Sequence, residues 1–177
     1  QKRVAVGLIE NGADYDWGAP ETLARQSGDK WHVSGVKTCV KFAHGADAII
    51  VSAQTPSAPG ISLFLIEASA AGLVDHPFQT VDGGNACEIT LHNTPAQLLG
   101  VEGAAYPLID AAAARATLAL CAEALGLMER IKDMTIDYMR TRKQFGSVLG
   151  KFQALQHRVA QMLLEIEQAK SAVINAA

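Results

Sequence analysis

Hydrophobic and polar positions change their period near residue 100. Before that point, short runs rich in Val, Ile, Leu and Phe recur between turn signals. They are VAVGLIE (4–10), KWHVSGVKTCV (30–40), AIIVSAQ (48–54), ISLFLIEA (61–68), GLVDHPFQ (72–79) and CEITLH (87–92). The segments SGD, TPSAPG, DGGN and NTP punctuate them. Such spacing predicts a compact, mostly antiparallel sheet, either a barrel or a sandwich, with no helix between 28 and 68.

From Gly103 the pattern becomes helical. Leu108, Leu118, Ala122 and Leu125 lie in a segment with no proline after Pro107. It continues to about Arg140, roughly 33 residues and so about 50 Å. In the next run Phe152, Leu155, Val159, Met162, Leu163, Ile166, Ala169 and Val173 step by three and four. That spacing makes one apolar stripe, with Gln156, Gln161, Glu165, Gln168 and Lys170 mostly off it. A short link at 141–151 makes the two helices an antiparallel pair. The predicted class is therefore α+β: an antiparallel β-barrel or sandwich at 1–102, then a long helix pair at 103–177. Two helices alone bury little, so the stripe is expected to need partners, either from a longer chain or from association.

Composition narrows the choice of function. Of the 177 residues 49% are hydrophobic and 19% charged, which excludes a disordered chain. A net charge of −3 argues against a generally basic nucleic-acid binder. Cys39, Cys87 and Cys121 have neither metal-ligand spacing nor a disulfide framework, so a reducing, cytoplasmic setting is expected. No apolar run approaches the ~18 residues of a membrane span, and no membrane partner is expected. The chain starts at Gln1 without a signal-like stretch and stops within a helical pattern, which suggests a piece of a longer protein.

The link RTRKQFGSVLGKFQALQH (140–157) is richer than a helix connection requires. Arg142 suits a helix C-terminus, where the dipole favours a cation. It equally suits an anion site, because a guanidinium fork matches phosphate oxygens. Phe145 would add an apolar wall, Gly146 close backbone approach, and Gln153 a group that both donates and accepts. For Gln153 alone, a solvated surface position is the simpler reading.

The segment DYMRTRKQFGSVLGKFQALQHRVAQMLLEIEQAKSA resembles the acyl-CoA dehydrogenase family, whose helical domain carries Tyr, then Arg-x-x-Phe-Gly, then a Phe-Gln or His-Gln pair. SGVKTCVKFAHGADAIIVSA resembles the family's middle β-domain, with its Asn/Ser-Gly-x-Lys and Ala-Asp-x-x-x-Val pattern. GISLFLIEASAAGL and AQLLGVEGAAYPLIDAA continue the likeness across the whole chain, most like the small subunit of pimeloyl-CoA dehydrogenase-type enzymes. The resemblance implies the middle β-domain followed by the first two helices of a four-helix domain. It implies an FAD-dependent oxidoreductase that forms the α,β-double bond of an acyl-CoA thioester. A carboxylate base takes the α-proton and flavin takes the β-hydrogen. It also implies a homo- or hetero-oligomer, dimer or tetramer, and an electron acceptor such as an electron-transfer flavoprotein. Arg142 would reach the FAD pyrophosphate of a neighbouring subunit, with Phe145 and Gln153 beside it.

Several positions depart from the family pattern. IENGADYD (9–16) stands where the family has TEPxAGSD, so Ile9 replaces a flavin-bonding Thr and Tyr15 a Ser near the thioester. Cys39, Val40 and Lys41 replace Trp-Ile-Thr, whose Trp covers the flavin. Cys39 itself is expected to be a small buried hydrophobe. Thr117 occupies a position where the family often has Arg, although Arg115 is close. Ala116 occupies the position where a minority of members carry the base, and Glu123 and Glu129 read as structural or solvated carboxylates. The base is therefore expected downstream of Ala177. Three functions remain open: a dehydrogenase subunit, a non-catalytic partner subunit with a degenerate flavin pocket, and an interaction module that kept the fold.

Overall fold

The computed structural model describes residues 2–13 and 16–177. Seven strands form the first part: β1 (Val4–Gly7), β2 (Leu23–Ser27), β3 (Lys30–Lys41), β4 (Ala48–Thr55), β5 (Ala58–Glu67), β6 (Leu73–Gln79) and β7 (Asn85–Leu99). Pairing runs β4-β2-β3-β7-β5 and returns to β4, so the sheet closes on itself as a barrel. β1 and β6 extend it on β4 and β7. The predicted β-domain is thus a barrel, but it is not wholly antiparallel. β1 and β2 both lie parallel to β4 and share one edge of it. No helix interrupts 28–68.

β2 was absent from the sequence reading. Its only inward side chain is Ala24, so its alternation is too weak to register. The turn after it is the better signal. Ser27 faces Lys30 across the two-residue loop Gly28-Asp29, and Gly28 takes φ +61°. Such a left-handed turn matches the twist of a β-hairpin.

Trp31, Val33, Ile49, Val51, Phe64, Ile66, Ile89 and Leu91 fill the barrel. The rings of Trp31 and Phe64 lie 5.3 Å apart at 55°. β3 breaks register twice, once between Val33 and Gly35 and again between Lys37 and Val40. The second break inserts an extra residue into β3, because Lys37 pairs Ile89 while Val40 pairs Cys87. It reverses the parity of the strand: Lys37 and Val40 point inward and Cys39 points out.

After β7 the chain forms α1 (Tyr106–Thr141), unbroken over 36 residues, with Pro107 tolerated in its first turn. A hairpin of β8 (Lys143–Gln144) and β9 (Ser147–Val148), a 3-10 turn (Leu149–Lys151) and α2 (Gln153–Ala176) follow. Contacts divide the chain into two units, Gln1–Asp110 and Ala111–Ala177. The start of α1 therefore belongs with the barrel, where Ala105 and Ile109 pack on Ile61, Leu8, Trp17 and Leu63. In the second unit α1 and α2 run side by side in opposite directions, so that Ala114 and Cys121 lie by Val173, and Met139 by Val159. Ile166 is the buried side chain of α2, while Leu120, Leu127, Ile131, Leu164 and Ile174 stay mostly exposed. α1 corrects the expectation about apolar runs: by length and composition alone it is long and apolar enough to cross a membrane, because few charges interrupt its first half, which is rich in Ala and Leu.

Candidate functional site

The link between the helices is built as a tight hairpin. Arg142 closes α1, its N–H donating to the Tyr138 carbonyl at 2.8 Å, and its own carbonyl accepts the Leu149 N–H at 2.9 Å. Lys143 pairs Val148 and Gln144 pairs Ser147, leaving Phe145-Gly146 as the two-residue turn. Both turn residues are left-handed, at φ +53° and +75°. Gly146 adopts this freely, whereas Phe145 does so at a cost of about 1 kcal/mol or more. The Phe145 ring is 91% exposed and meets Phe152 edge-on at 6.3 Å. Gln153 opens α2 directly after Phe152 and is exposed. Among the described residues no ion pair includes Arg142. The structure thus brings the three candidates of the link close together along the chain. An exposed guanidinium and an exposed ring share one turn, and a polar amide begins the next helix.

Ile9 is tied to the residue just before 39–41 in the barrel unit. The Thr38 N–H donates to the Ile9 carbonyl at 2.8 Å, which ties the segment after β1 to β3. Val40 is buried in the core. Lys41 is exposed and lies 3.6 Å from Asp82. The Thr80 hydroxyl, the Gly84 N–H and Lys41 together hold the Asp82 carboxyl below its ordinary range. Cys39 corrects the expectation made for it. It is exposed, at φ +52°, because the bulge turns Val40 inward in its place.

Sequence reasoning missed the most buried polar cluster. Lys37 has no exposed surface, and its Nζ donates to Glu10 Oε1 at 2.5 Å and to Ser52 Oγ at 3.0 Å. Glu10 also accepts the Glu21 N–H at 2.5 Å, the Thr22 N–H at 3.2 Å and the Thr22 hydroxyl at 2.6 Å. Burial pushes the Glu10 carboxyl up, but hydrogen bonds from Lys37, Thr22 and the Glu21 backbone outweigh it and hold the group below 4.5. Burial pushes the Lys37 ammonium down from its usual range, with Glu10 opposing the shift. The SGVK motif marked Lys37, but nothing in the strand pattern signalled a buried cation.

The remaining candidates are dispersed. Thr117 is exposed and lines a groove of about 600 Å³ with Leu118, Cys121 and Val173. Twenty-five residues of helix, about 37 Å at 1.5 Å each, separate it from Arg142. Glu123 is exposed and Glu129 half-buried on the same helix. Tyr15 lies outside the described residues. Among the described residues no group of His, Cys, Asp and Glu is placed to hold a metal.

Known proteins give this geometry a family. Residues 5–94 match the acyl-CoA dehydrogenase middle domain, and residues 106–177 match the acyl-CoA dehydrogenase C-terminal domain. The chain belongs to the acyl-CoA dehydrogenase family. It is 31% identical to a 3-(aryl)acrylate reductase of Clostridium sporogenes, over 100% of this chain and 49% of that protein. It is 30% identical to a short/branched chain specific mitochondrial acyl-CoA dehydrogenase of Bos taurus, over 100% of this chain and 43% of that protein. A glutaryl-CoA dehydrogenase of Mycobacterium smegmatis, solved in complex with FADH2, superposes with a TM-score of 0.86 at 25% identity, covering 97% of this chain and 45% of that one. The chain thus spans about half the length of the relatives it matches.

Proposed function

We propose that the chain is part of an FAD-dependent enzyme that forms the α,β-double bond of an acyl-CoA thioester. The observation that carries this reading is the hairpin at 142–148. It presents an arginine without an ion partner among the described residues beside an exposed, left-handed phenylalanine. A planar cation at the foot of a tight turn suits the paired anionic oxygens of a pyrophosphate. An aromatic ring held out at a conformational cost suits a flat apolar partner. The residues present therefore fit FAD, and the FADH2-bound relative supports the same cofactor.

FAD, when bound, supplies the oxidising chemistry. Arg142 would hold the pyrophosphate, Phe145 would wall it, and Gln153 would offer a polar contact. In the barrel unit Ile9, Cys39 and Lys41 would line the ring side of the subunit's own cofactor, whereas Val40, expected there too, is turned into the core and cannot; the resemblance assigns Tyr15 and Thr117 to the substrate. The α-proton would pass to a carboxylate outside these 177 residues. An oligomer, with Arg142 serving a neighbour's cofactor, and an electron acceptor such as an electron-transfer flavoprotein belong to the same reading. So does the reducing, cytoplasmic setting, which three free cysteines support. The direction of the reaction is also part of the proposal, since one relative is named an acrylate reductase.

A second reading has its own observation. Cys39 stands exposed on the bulge, and Ile9 offers no hydroxyl, at the two positions where the family resemblance implies a Trp and a Thr. A non-catalytic partner subunit that supplies Arg142 to another chain's FAD would tolerate both.

Flavin-to-protein ratios of the full-length protein test the first reading. Losing a charge-assisted contact costs about 1.5–3 kcal/mol, so Arg142→Ala should weaken FAD retention roughly tenfold or more. Arg142→Lys should recover only part, because an ammonium lacks the planar fork. Unchanged flavin with a lower melting temperature would return Arg142 to a helix-terminal role. A full-length protein that retains Arg142-dependent FAD only when mixed with a second subunit would favour the second reading.

A further inference from the structure

We propose that the buried Lys37–Glu10 pair is a positioning device. It fixes the backbone at Ile9 against the corner at 38–41, the two segments read above as lining the cofactor. The inference rests on that reading for its functional meaning and on the following geometry for its mechanics.

The Glu10 carboxylate gathers donors from two separate places in the chain, the adjacent Glu21 and Thr22 and the distant Lys37. Two backbone N–H groups come from Glu21 and Thr22, a hydroxyl from Thr22 and the ammonium from Lys37. Lys37 in turn reaches Ser52 on β4. Four segments are therefore joined through one carboxylate and one ammonium. The residues next to the pair make the contact that matters. Ile9, beside Glu10, accepts at 2.8 Å from Thr38, beside Lys37. One residue further on stands the left-handed Cys39 of the bulge.

The glycine of the SGVK motif belongs to the same unit. A Cβ on Gly35 would lie 2.8 Å from Thr22 Cα and 2.5 Å from its hydroxyl oxygen. Only glycine lets Thr22 come near enough to donate to Glu10. Hence Gly35 admits Thr22, Thr22 orients Glu10, and Glu10 receives Lys37.

Stability does not account for this arrangement. Apolar residues of similar volume in place of a buried ion pair are often neutral or stabilising. What such a pair supplies that a Leu–Met contact lacks is direction. Fixed donors and acceptors admit one placement of Ile9–Glu10 and of Glu21–Thr22 against β3, where apolar side chains would admit several.

The test uses the full-length protein and replaces both partners, as Glu10→Leu with Lys37→Met. The melting temperature should shift by no more than a few degrees. Hydrogen exchange at the Thr38 amide should accelerate about tenfold, and FAD should dissociate about tenfold faster. Unchanged protection of Thr38 would overturn the proposal, and so would faster exchange with unchanged flavin retention. If the double variant does not fold, Thr22→Val removes one donor and leaves both charges in place. It should accelerate the same amide about threefold, and no acceleration would overturn the proposal. Should the unaltered protein retain no flavin, the reading of function fails by itself, and exchange at Thr38 still decides the latch.

Discussion

The barrel and the helix pair use apolar surface in opposite ways. The barrel closes around its own core, with Phe64, Ile66, Val33 and Val51 fully buried. The helix pair carries comparable side chains, yet Leu120, Leu127, Leu164 and Ile174 are each about 60% exposed. A closed sheet satisfies both its backbone and its inner face within a short stretch of chain. Two helices satisfy their backbones and leave most of each surface for other helices. The first unit thus covers its own apolar surface, and the second leaves much of it exposed. The exposed guanidinium and ring of the 142–148 turn lie in that second unit.

The largest effect should separate the two units. Phe64→Ala removes a ring packed on Trp31 and should cost about 3–5 kcal/mol, read as a lower denaturation midpoint. Leu164→Ala should change the same midpoint by no more than about 0.5 kcal/mol in the dissociated chain. A comparable loss at Leu164 would break the comparison, because it would mean that the helix pair is covered.

Removing one buried charge should nearly match the core ring. Lys37→Met leaves Glu10 buried without its counter-charge and should cost about 3 kcal/mol or more, measured by urea unfolding. Acid exposes the same pair. Glu10 has a folded-state pKa below its ordinary 4.5, so its contribution is present above 4.5 and lost as pH falls through the lower value. Thermal melts of the parent should therefore fall more steeply below pH 4.5 than those of the Glu10→Leu, Lys37→Met variant. Parallel pH profiles would contradict the assignment.

The smallest energetic effect concerns the helices, and it should be read as association. The 177-residue chain should self-associate, because its helices expose many large apolar side chains, Leu120, Leu127, Leu164 and Ile174 among them. Leu120→Ser with Leu164→Ser should reduce that association while leaving the melting of the barrel within about 0.5 kcal/mol. Sedimentation of the parent chain as a stable monomer over a wide concentration range would break the comparison from the other side.

Period was the part of this fold most open to sequence reading. Strands with several inward apolar residues, β3, β4 and β5, declared themselves, as did both helices. β2 did not, because one inward alanine carries no alternation, and only the SGD turn after it spoke for a hairpin. Cys39 was misplaced by residue type: a lone cysteine usually behaves as a small buried hydrophobe, but one extra residue in β3 turns it out and Val40 in. Bulges of that kind depend on pairing with a distant strand, here β7, which local pattern does not contain. Lys37 was hidden for the same reason, since its partner Glu10 lies 27 residues earlier in the chain. The closeness of Arg142, Phe145 and Gln153 was legible because one short stretch, 142–153, holds all three, with no distant strand involved.

Phe145 also bears on how this molecule would respond to engineering. A two-residue turn with both residues left-handed is the natural place for Asn-Gly, and a search for thermostability would arrive at Phe145→Asn. That change should relax the backbone and raise the melting temperature slightly. It would also erase the only ring that the turn presents to its surroundings. A library selected for heat resistance and one selected for flavin retention should therefore diverge at this position. The residue that each keeps would show which demand has shaped the turn.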